Sequence, residues 1–280
     1  MTDHAGSPAW RAANRANWDE RVAVHLRAPS YDLVDLRAGR GRLHPVEEAE
    51  LGALGGRRVL HLQCHFGRDT LVLAQRGARV TGLDFSPAAV AAARELASEL
   101  GLEACADFIE ADVYDAPAAI GAPGGFDLVF VTWGALCWLP DVGRWAEIVA
   151  HFLKPGGQLY LADVHPAAMV FDERKPDAGV LPPPFAPYFL DRPLVVDDPR
   201  DYADPAARLS SARTYQFLHG LGTIVSSLAS AGLRIDWLHE HRTVPWRMFD
   251  ILVECGPDIY GWPGEPWLPL SFSLQATRPA

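Results

Sequence analysis

The sequence predicts an α/β fold built on a doubly wound, seven-stranded sheet, mostly parallel, with an antiparallel last strand. Three observations predict it. From residue 59 to residue 165, short apolar runs that end in turn residues alternate with segments of helical period, the rhythm of successive βαβ units. The run F-D-L-V-F-V-T-W, Phe126 to Trp133, is almost wholly apolar, as befits a strand with helices on both faces. The last run alternates instead. Leu270, Phe272, Leu274 and Ala276 are set against Ser271, Ser273, Gln275 and Thr277, which marks a strand with two unlike faces and an antiparallel course.

Taken in order, Met1 to Ser7 is expected to fray. A helix is expected from Pro8, with Trp18, Val22 and Leu26 on one face and Asn14, Asn17 and Arg21 among them; packing on the core and covering a ligand both suit it. Pro29 ends this helix, Tyr31 follows in a loop, and a second helix runs from Pro45 to Leu54. Residues 1–56 are thus expected to form an N-terminal helical lid. Gly55-Gly56 turns into the first strand, V-L-H-L, which ends in a tight turn at Gly67. A helix carrying Leu71, Leu73 and Ala74 stops at Gly77, and the second strand ends in Asp84, about 20 residues after the turn. Ser86 is a good N-cap, Pro87 suits the first helical position, and the helix Ala88–Leu100 stops at Gly101.

The third strand, Asp107 to Ala111, is followed at once by Asp112. A Pro/Gly/Ala loop leads to the fourth strand. Trp145, Ile148, Val149, Phe152 and Leu153 then mark a helix, and K-P-G-G turns into the fifth strand, Gln158 to Val164, ending at His165-Pro166. Residues 57–165 are the expected core unit. Residues 166–218 break the rhythm with clustered prolines, yet Phe185, Tyr188, Phe189, Tyr202, Tyr215 and Phe217 argue for an ordered insertion. Residues 219–280 resume it. A helix around Leu221, Val225 and Leu228 precedes a strand from Leu233 to His239, then an aromatic loop at 245–269 holding Trp246, Tyr260, Trp262 and Trp267, then the last strand.

The chain has 280 residues, of which 49% are hydrophobic, enough for one domain with elaborations or a domain with a small lid. A net charge of -10 repels phosphate backbones, so nucleic acid is not an expected partner, and cationic ligands are weakly favoured. The four cysteines, Cys64, Cys105, Cys137 and Cys255, form no C-x-x-C pair, so neither a zinc site nor a disulfide framework is expected. There is no basic-then-apolar leader and no apolar run near 18 residues. The expectation is a cytoplasmic monomer or homodimer with no membrane partner.

The turn after the first strand bears on the ligand. A dinucleotide site uses glycines to let backbone approach a pyrophosphate, but Gln63 and His65 stand at two of those positions and only Gly67 remains. Bulky side chains obstruct a pyrophosphate more than they obstruct the methionine tail of S-adenosylmethionine. A buried βαβ unit of a carbohydrate or phosphate enzyme would read similarly. The ordered set L-H-L-Q-C-H-F-G, G-L-D-F-S, E-A-D-V, F-D-L-V-F-V-T-W-G-A-L-C-W-L-P-D and L-K-P-G-G resembles the class I S-adenosylmethionine-dependent methyltransferases, which have a Rossmann-like sheet. The resemblance covers Val59 to His165 well and Gly220 to Pro279 in outline.

The resemblance implies S-adenosylmethionine as cofactor, with its methionine moiety at Gln63, Cys64, His65 and Gly67. It puts the ribose on Asp84, the adenine against Phe85 with Ser86 alongside, the adenine amino group on Asp112 beside Val113, and the sulfonium against Thr132, Trp133 and Gly134. The family turn is usually acid-x-Gly-x-Gly-x-Gly. Here His61, Gln63 and His65 replace the acid and two glycines, which reads as the mark of a bacterial small-molecule subgroup. The implied reaction is direct displacement of the sulfonium methyl by a nitrogen or oxygen of a small organic molecule, without a metal. Tyr31, Trp138, His165, Tyr188 and Trp246 are the expected substrate contacts, and Trp18 joins Tyr31 as a lid contact. His165, at the end of the fifth strand, is the candidate base, or else a cap on the insertion; His65 is a lesser candidate base, and His61 reads as a core histidine. The rival readings are a non-catalytic S-adenosylmethionine-binding protein and an NAD or nucleotide-sugar enzyme.

Overall fold

The computed structural model describes residues 8–173 and 181–280; the expected fraying at Met1 to Ser7, and residues 174–180 of the insertion, lie outside the described residues. The lid comprises α1 (Pro8–His25), α2 (Leu33–Arg37) and α3 (Pro45–Glu50). The core follows as β1 (Arg58–Leu62), α4 (Arg68–Gln75), β2 (Arg79–Asp84), α5 (Pro87–Glu99), β3 (Ala106–Glu110), α6 (Ala116–Ile120), β4 (Phe126–Thr132), α7 (Val142–Phe152) and β5 (Leu153–Val164). The insertion carries the hairpin of β6 (Leu194–Asp197) and β7 (Arg213–Gln216). The chain closes with α8 (Leu221–Ser230), β8 (Arg234–His241), β9 (Thr243–Val244), β10 (Val253–Gly256), β11 (Ile259–Gly261) and β12 (Ser271–Thr277).

The main sheet has seven strands in the order β3-β2-β1-β4-β5-β12-β8, with β12 antiparallel to both of its neighbours. The winding reverses between β1 and β4, and the carboxyl ends of the strands open there into a crevice, the usual ligand site of such sheets. Alternate strand residues feed two cores. Leu60, Leu62, Val129, Val131 and Leu161 meet α7 and α8 on one face; Val59, Val80, Phe130 and Tyr160 meet α4, α5 and the lid on the other. Local chemistry sets the helix ends. The Ser86 hydroxyl accepts from Ala89 N to start α5, and Asp141 accepts from Arg144 N to start α7.

Several elements differ from the sequence reading. α1 stops at His25, so Leu26 lies past its end, and its buried face is half polar, with Asn14, Asn17 and His25 all fully buried. Those amides are satisfied by the insertion: Asn14 exchanges hydrogen bonds with the backbone of Tyr215, and Asn17 donates to Ser211 O. The second lid helix is shorter than expected, and α2 and α6, five residues each, were too brief to show a period. Ladder pairing of β5 starts at Leu153, so K-P-G-G falls inside the strand, with a register shift against β4. The aromatic loop at 245–269 contains β10 and β11, which join β9 in a small three-stranded sheet. The last strand lies inside the main sheet, and its serines are buried because Ser271 donates to Thr243 O and Ser273 to Glu50 of the lid.

One close approach packs β2 against the Phe108 side chain of β3 and the turn after β1. A Cβ at Gly82, mid-β2, would sit 2.7 Å from Phe108 and 2.8 Å from the Cys64 sulfur. All three are buried, so none can move freely. Gly82→Ala is expected to lower stability by about 1–3 kcal/mol through overpacking. Thermal melts of the two proteins check this, and an unchanged melting temperature would contradict the tight fit.

Candidate active site

The turn after β1 keeps the backbone of a glycine-rich loop while carrying side chains. Gln63, His65 and Gly67 have φ of 57°, 51° and 76°, all left-handed. For the two non-glycine residues that conformation costs roughly 1–2 kcal/mol each, so something must hold it. The clamp is Asp84 at the end of β2, whose carboxylate accepts from His65 N at 2.8 Å and from Ser86 N at 2.9 Å. Burial pushes this carboxyl up to about 6, against the pull of those N–H donors. The Gln63 amide donates to Ala135 O at 2.8 Å, and its carbonyl oxygen is buried with no partner.

A second strained turn faces the first across the crevice. Trp133 and Gly134, just past β4, have φ of 47° and 75°. Asp163, near the end of β5, holds this turn by accepting from Gly134 N at 2.6 Å and Leu136 N at 3.2 Å. The Trp133 indole donates to Glu47 of α3 at 2.5 Å, and its ring meets His44 and Trp246 edge to face, with centroids 5.7 and 5.8 Å away. Glu47 is fully buried, and burial pushes its carboxyl well above the usual range.

The lid is tied to both halves. Arg11 pairs with Asp112 at 2.8 Å, and Trp18 lies edge-on to His65 and Trp138, at 5.1 and 5.4 Å. A buried chain runs from the turn through the lid to the insertion: His65 Nε2 to His25 Nδ1 at 2.8 Å, then His25 Nε2 to Asp201 at 3.0 Å, with Arg21 also on Asp201 at 2.9 Å. The Tyr31 hydroxyl joins at His25 Nδ1, 3.0 Å, and meets the Tyr202 hydroxyl at 2.6 Å.

These elements enclose a crevice of about 1500 Å³. Gln63, Cys64, His65, Asp84, Phe85, Asp112, Val113, Thr132, Trp133 and Gly134 line it, as do Tyr31, Trp138, Trp18 and Trp246. Four expected site residues do not. Gly67 lies under the turn, where a Cβ would come within 2.5 Å of Phe108, so it serves packing. Ser86 is fully buried as the α5 cap and donates to Asp19 of α1. Tyr188 turns away and its hydroxyl accepts from Leu221 N at 3.0 Å, at the start of α8. His165 is the main correction. Its backbone still pairs with Leu270 O, so its ring stays clamped beside Phe272 on the sheet; Nδ1 accepts from Ala167 N and Nε2 lies 3.0 Å from Glu240, off the axis of a good hydrogen bond. It caps the insertion and does not line the crevice.

The sequence reading missed His44, Asp163 and the pair His25 and Asp201. Asp163 obeys the same strand-end rule that picked out Asp84. His44-Pro45 at a helix start carries no signal of a crevice, and His25 and Asp201 are brought together only by the tertiary fold.

A crevice at the switch point of a doubly wound sheet, with acids closing two strands and no pyrophosphate loop, marks the class of nucleotide-type binding folds and suits a ligand without a diphosphate. Comparison with known proteins narrows the class. Residues 59–157 match the methyltransferase domain family. A ubiquinone biosynthesis O-methyltransferase of Pseudomonas aeruginosa (strain UCBPP-PA14) is 30% identical over 171 residues, 60% of this chain and 67% of that protein. An S-adenosylmethionine dependent methyltransferase structure from Mesorhizobium loti aligns with a TM-score of 0.58 at 22% identity, over 84% of this chain and 96% of that one. A geranyl diphosphate C-methyltransferase from Streptomyces coelicolor A3(2), solved with S-adenosyl-L-homocysteine, aligns with a TM-score of 0.52 at 13% identity, over 83% of this chain and 77% of that one; these two show likeness of fold. The chain belongs to the class I S-adenosylmethionine-dependent methyltransferases, and S-adenosylmethionine is its cofactor. The site suits it, since the unpartnered Gln63 carbonyl is a buried acceptor of the kind an ammonium group satisfies. Among the described residues, no helix is long and apolar enough to cross a membrane.

Proposed function

We propose that this enzyme methylates a nitrogen or oxygen of a small organic molecule with substantial apolar area, by direct displacement. One observation carries the reading: beside Trp133 the crevice is lined by Trp246, Tyr260, Met169 and Phe171, which pack against one apolar cluster, together with the charged Asp172, Glu173, Arg247 and Asp258. In this reading Gln63 and the turn backbone hold the methionine moiety, Asp84 the ribose and Asp112 the adenine edge. Trp133 and Gly134 border the reacting methyl. Bound there, the cofactor supplies an electrophilic methyl on a sulfonium. The chain supplies alignment, which by itself accounts for much of the acceleration of a bimolecular displacement, and the lid excludes water. Electron-rich rings at Trp133 and Trp246 also suit a positive sulfur.

Calorimetry together with turnover on a panel of phenols and amines tests this. The expected result is binding of S-adenosylmethionine and its demethylated product, no binding of NAD, and methylation of at least one apolar acceptor. Tight cofactor binding with no turnover on any acceptor would favour a non-catalytic binding protein.

A further inference from the structure

We infer that His44 is the catalytic base of the reaction and that its acceptor is the hydroxyl of an aromatic ring. The inference rests on the methyltransfer reading and deepens it. His44 precedes α3 in the lid, lines the crevice, and lies edge to face against Trp133, the side chain bordering the methyl donor in that reading. Among the described residues neither of its ring nitrogens has a hydrogen-bond partner, and neither is sealed from the crevice. It is thus a free acceptor at the donor's end.

Apart from Asp258, which is exposed, the acids and bases closest to the turns of the crevice are already engaged. Asp84 and Asp163 hold the two strained turns, Asp112 pairs with Arg11, Asp69 with Arg68, and His65 Nε2 is held by His25. Burial draws the His44 imidazole below its ordinary range, which keeps it neutral and able to take a proton at pH 7; Asp69 and Asp258 oppose this from α4 and the β10–β11 turn, Arg68 assists it, and Glu48 lies on its own helix. Such a base matches a phenol, ordinarily near pKa 10, far better than an aliphatic alcohol, whose acidity is closer to that of water. The flat walls of Trp133, Trp246 and Tyr260 suit a ring in the same way.

In the step, the hydroxyl proton moves to an imidazole nitrogen as the oxygen lone pair forms the new carbon–oxygen bond. The carbon–sulfur bond breaks with its electron pair left on sulfur, giving the neutral thioether, and the imidazolium then releases its proton to water.

The test compares His44→Gln and His44→Ala with the parent on two phenols, one of ordinary acidity and one an acidic nitrophenol already ionised at pH 8. Affinity for S-adenosylhomocysteine should stay within about 2-fold, because His44 is not in the cofactor half. The maximal rate on the ordinary phenol should fall about 100-fold or more, and its low-pH limb should disappear. The nitrophenol, which needs no base, should lose less than about 5-fold. An equal loss on both phenols would make His44 a binding or structural residue and overturn the inference. A parent that methylates amines but no phenol would overturn it while leaving the methyltransfer reading intact, and a parent that methylates nothing would overturn both.

Discussion

Asp84→Ala is expected to weaken S-adenosylhomocysteine binding by about 100-fold or more. As a charged acceptor for two ribose hydroxyls, Asp84 would contribute roughly 1.5–3 kcal/mol per bond, and partial replacement by water leaves about 10- to 100-fold in affinity. The structure adds a second loss. The same carboxylate accepts from His65 N and Ser86 N, so its removal strands two N–H donors and releases the left-handed turn that Gln63 and His65 are held in. Acid should act in the same direction. The carboxyl is pushed up to about 6 by burial, compared with 3.8 in an exposed chain. Its pKa is raised on folding, so its contribution to the stability of the ligand-free protein is full below 3.8 and is lost as pH rises through about 6. Ribose hydroxyls donate to the ionised form, so binding near pH 6 should expel the proton, and affinity should fall as pH drops below that value. Titration at pH 6 in two buffers of different ionisation enthalpy measures the release, which Asp84→Asn should abolish. Unchanged affinity in Asp84→Ala would remove Asp84 from the cofactor site.

The parts of this site that were legible in the sequence are those fixed by local pattern. Asp84 and Asp112 stand where apolar runs end, and a strand end at a switch point faces the crevice by topology alone. The turn was half legible. Gln63 and His65 were visible as bulky residues at glycine positions, but the left-handed φ that both adopt, and the carboxylate that holds it, were not. His165 misled because strand pairing runs past the visible end of the apolar run: β12, inserted beside β5, keeps residue 165 on the ladder and its ring against Phe272. The placement of β12 between β5 and β8 had no local signal, and it buries the serines of the alternating run, Ser271 against Thr243 of β9 and Ser273 against Glu50 of the lid. His44 and the His25–Asp201 pair depend on how the lid folds back, which no spacing within the lid encodes.

The second large effect is expected at that pair. His25 and the Asp201 side chain are fully buried. Burial pushes the Asp201 carboxyl up, but the hydrogen bond from His25 and the charge of Arg21 outweigh it, so the group is ionised. The ionised Asp201 accepts from the His25 Nε2–H, which leaves Nδ1 as the ring's acceptor, facing His65 Nε2 and the Tyr31 hydroxyl. Burial draws both imidazoles below 6.5, His65 well below it. Their pKa values are depressed on folding, so the stability they contribute is full above pH 6.5 and is lost as pH falls below it. His25→Ala removes the link between turn, lid and insertion and leaves the buried Asp201 carboxylate with Arg21 and the Ala203 and Asp204 amides, the loss of one partner of a buried pair, which typically costs about 3–5 kcal/mol. At roughly 2–4 °C per kcal/mol for a chain of this size, the melting temperature at pH 7.5 should drop by about 6–20 °C. Asp201→Asn keeps the shape and an acceptor for His25, so it should lose less than His25→Ala while giving faster hydrogen exchange in α1 and in residues 199–209. Between pH 7 and 5.5 these histidines act against Asp84, whose raised pKa favours the folded state as pH falls, so the gap in melting temperature between the parent and His25→Ala should narrow as pH drops. A His25→Ala protein that melts within 1–2 °C of the parent, a difference worth less than about 1 kcal/mol, would mean that the lid is held by its other contacts, such as Asn14 with Tyr215 and Glu50 with Ser273, and that the histidine chain is incidental to closure.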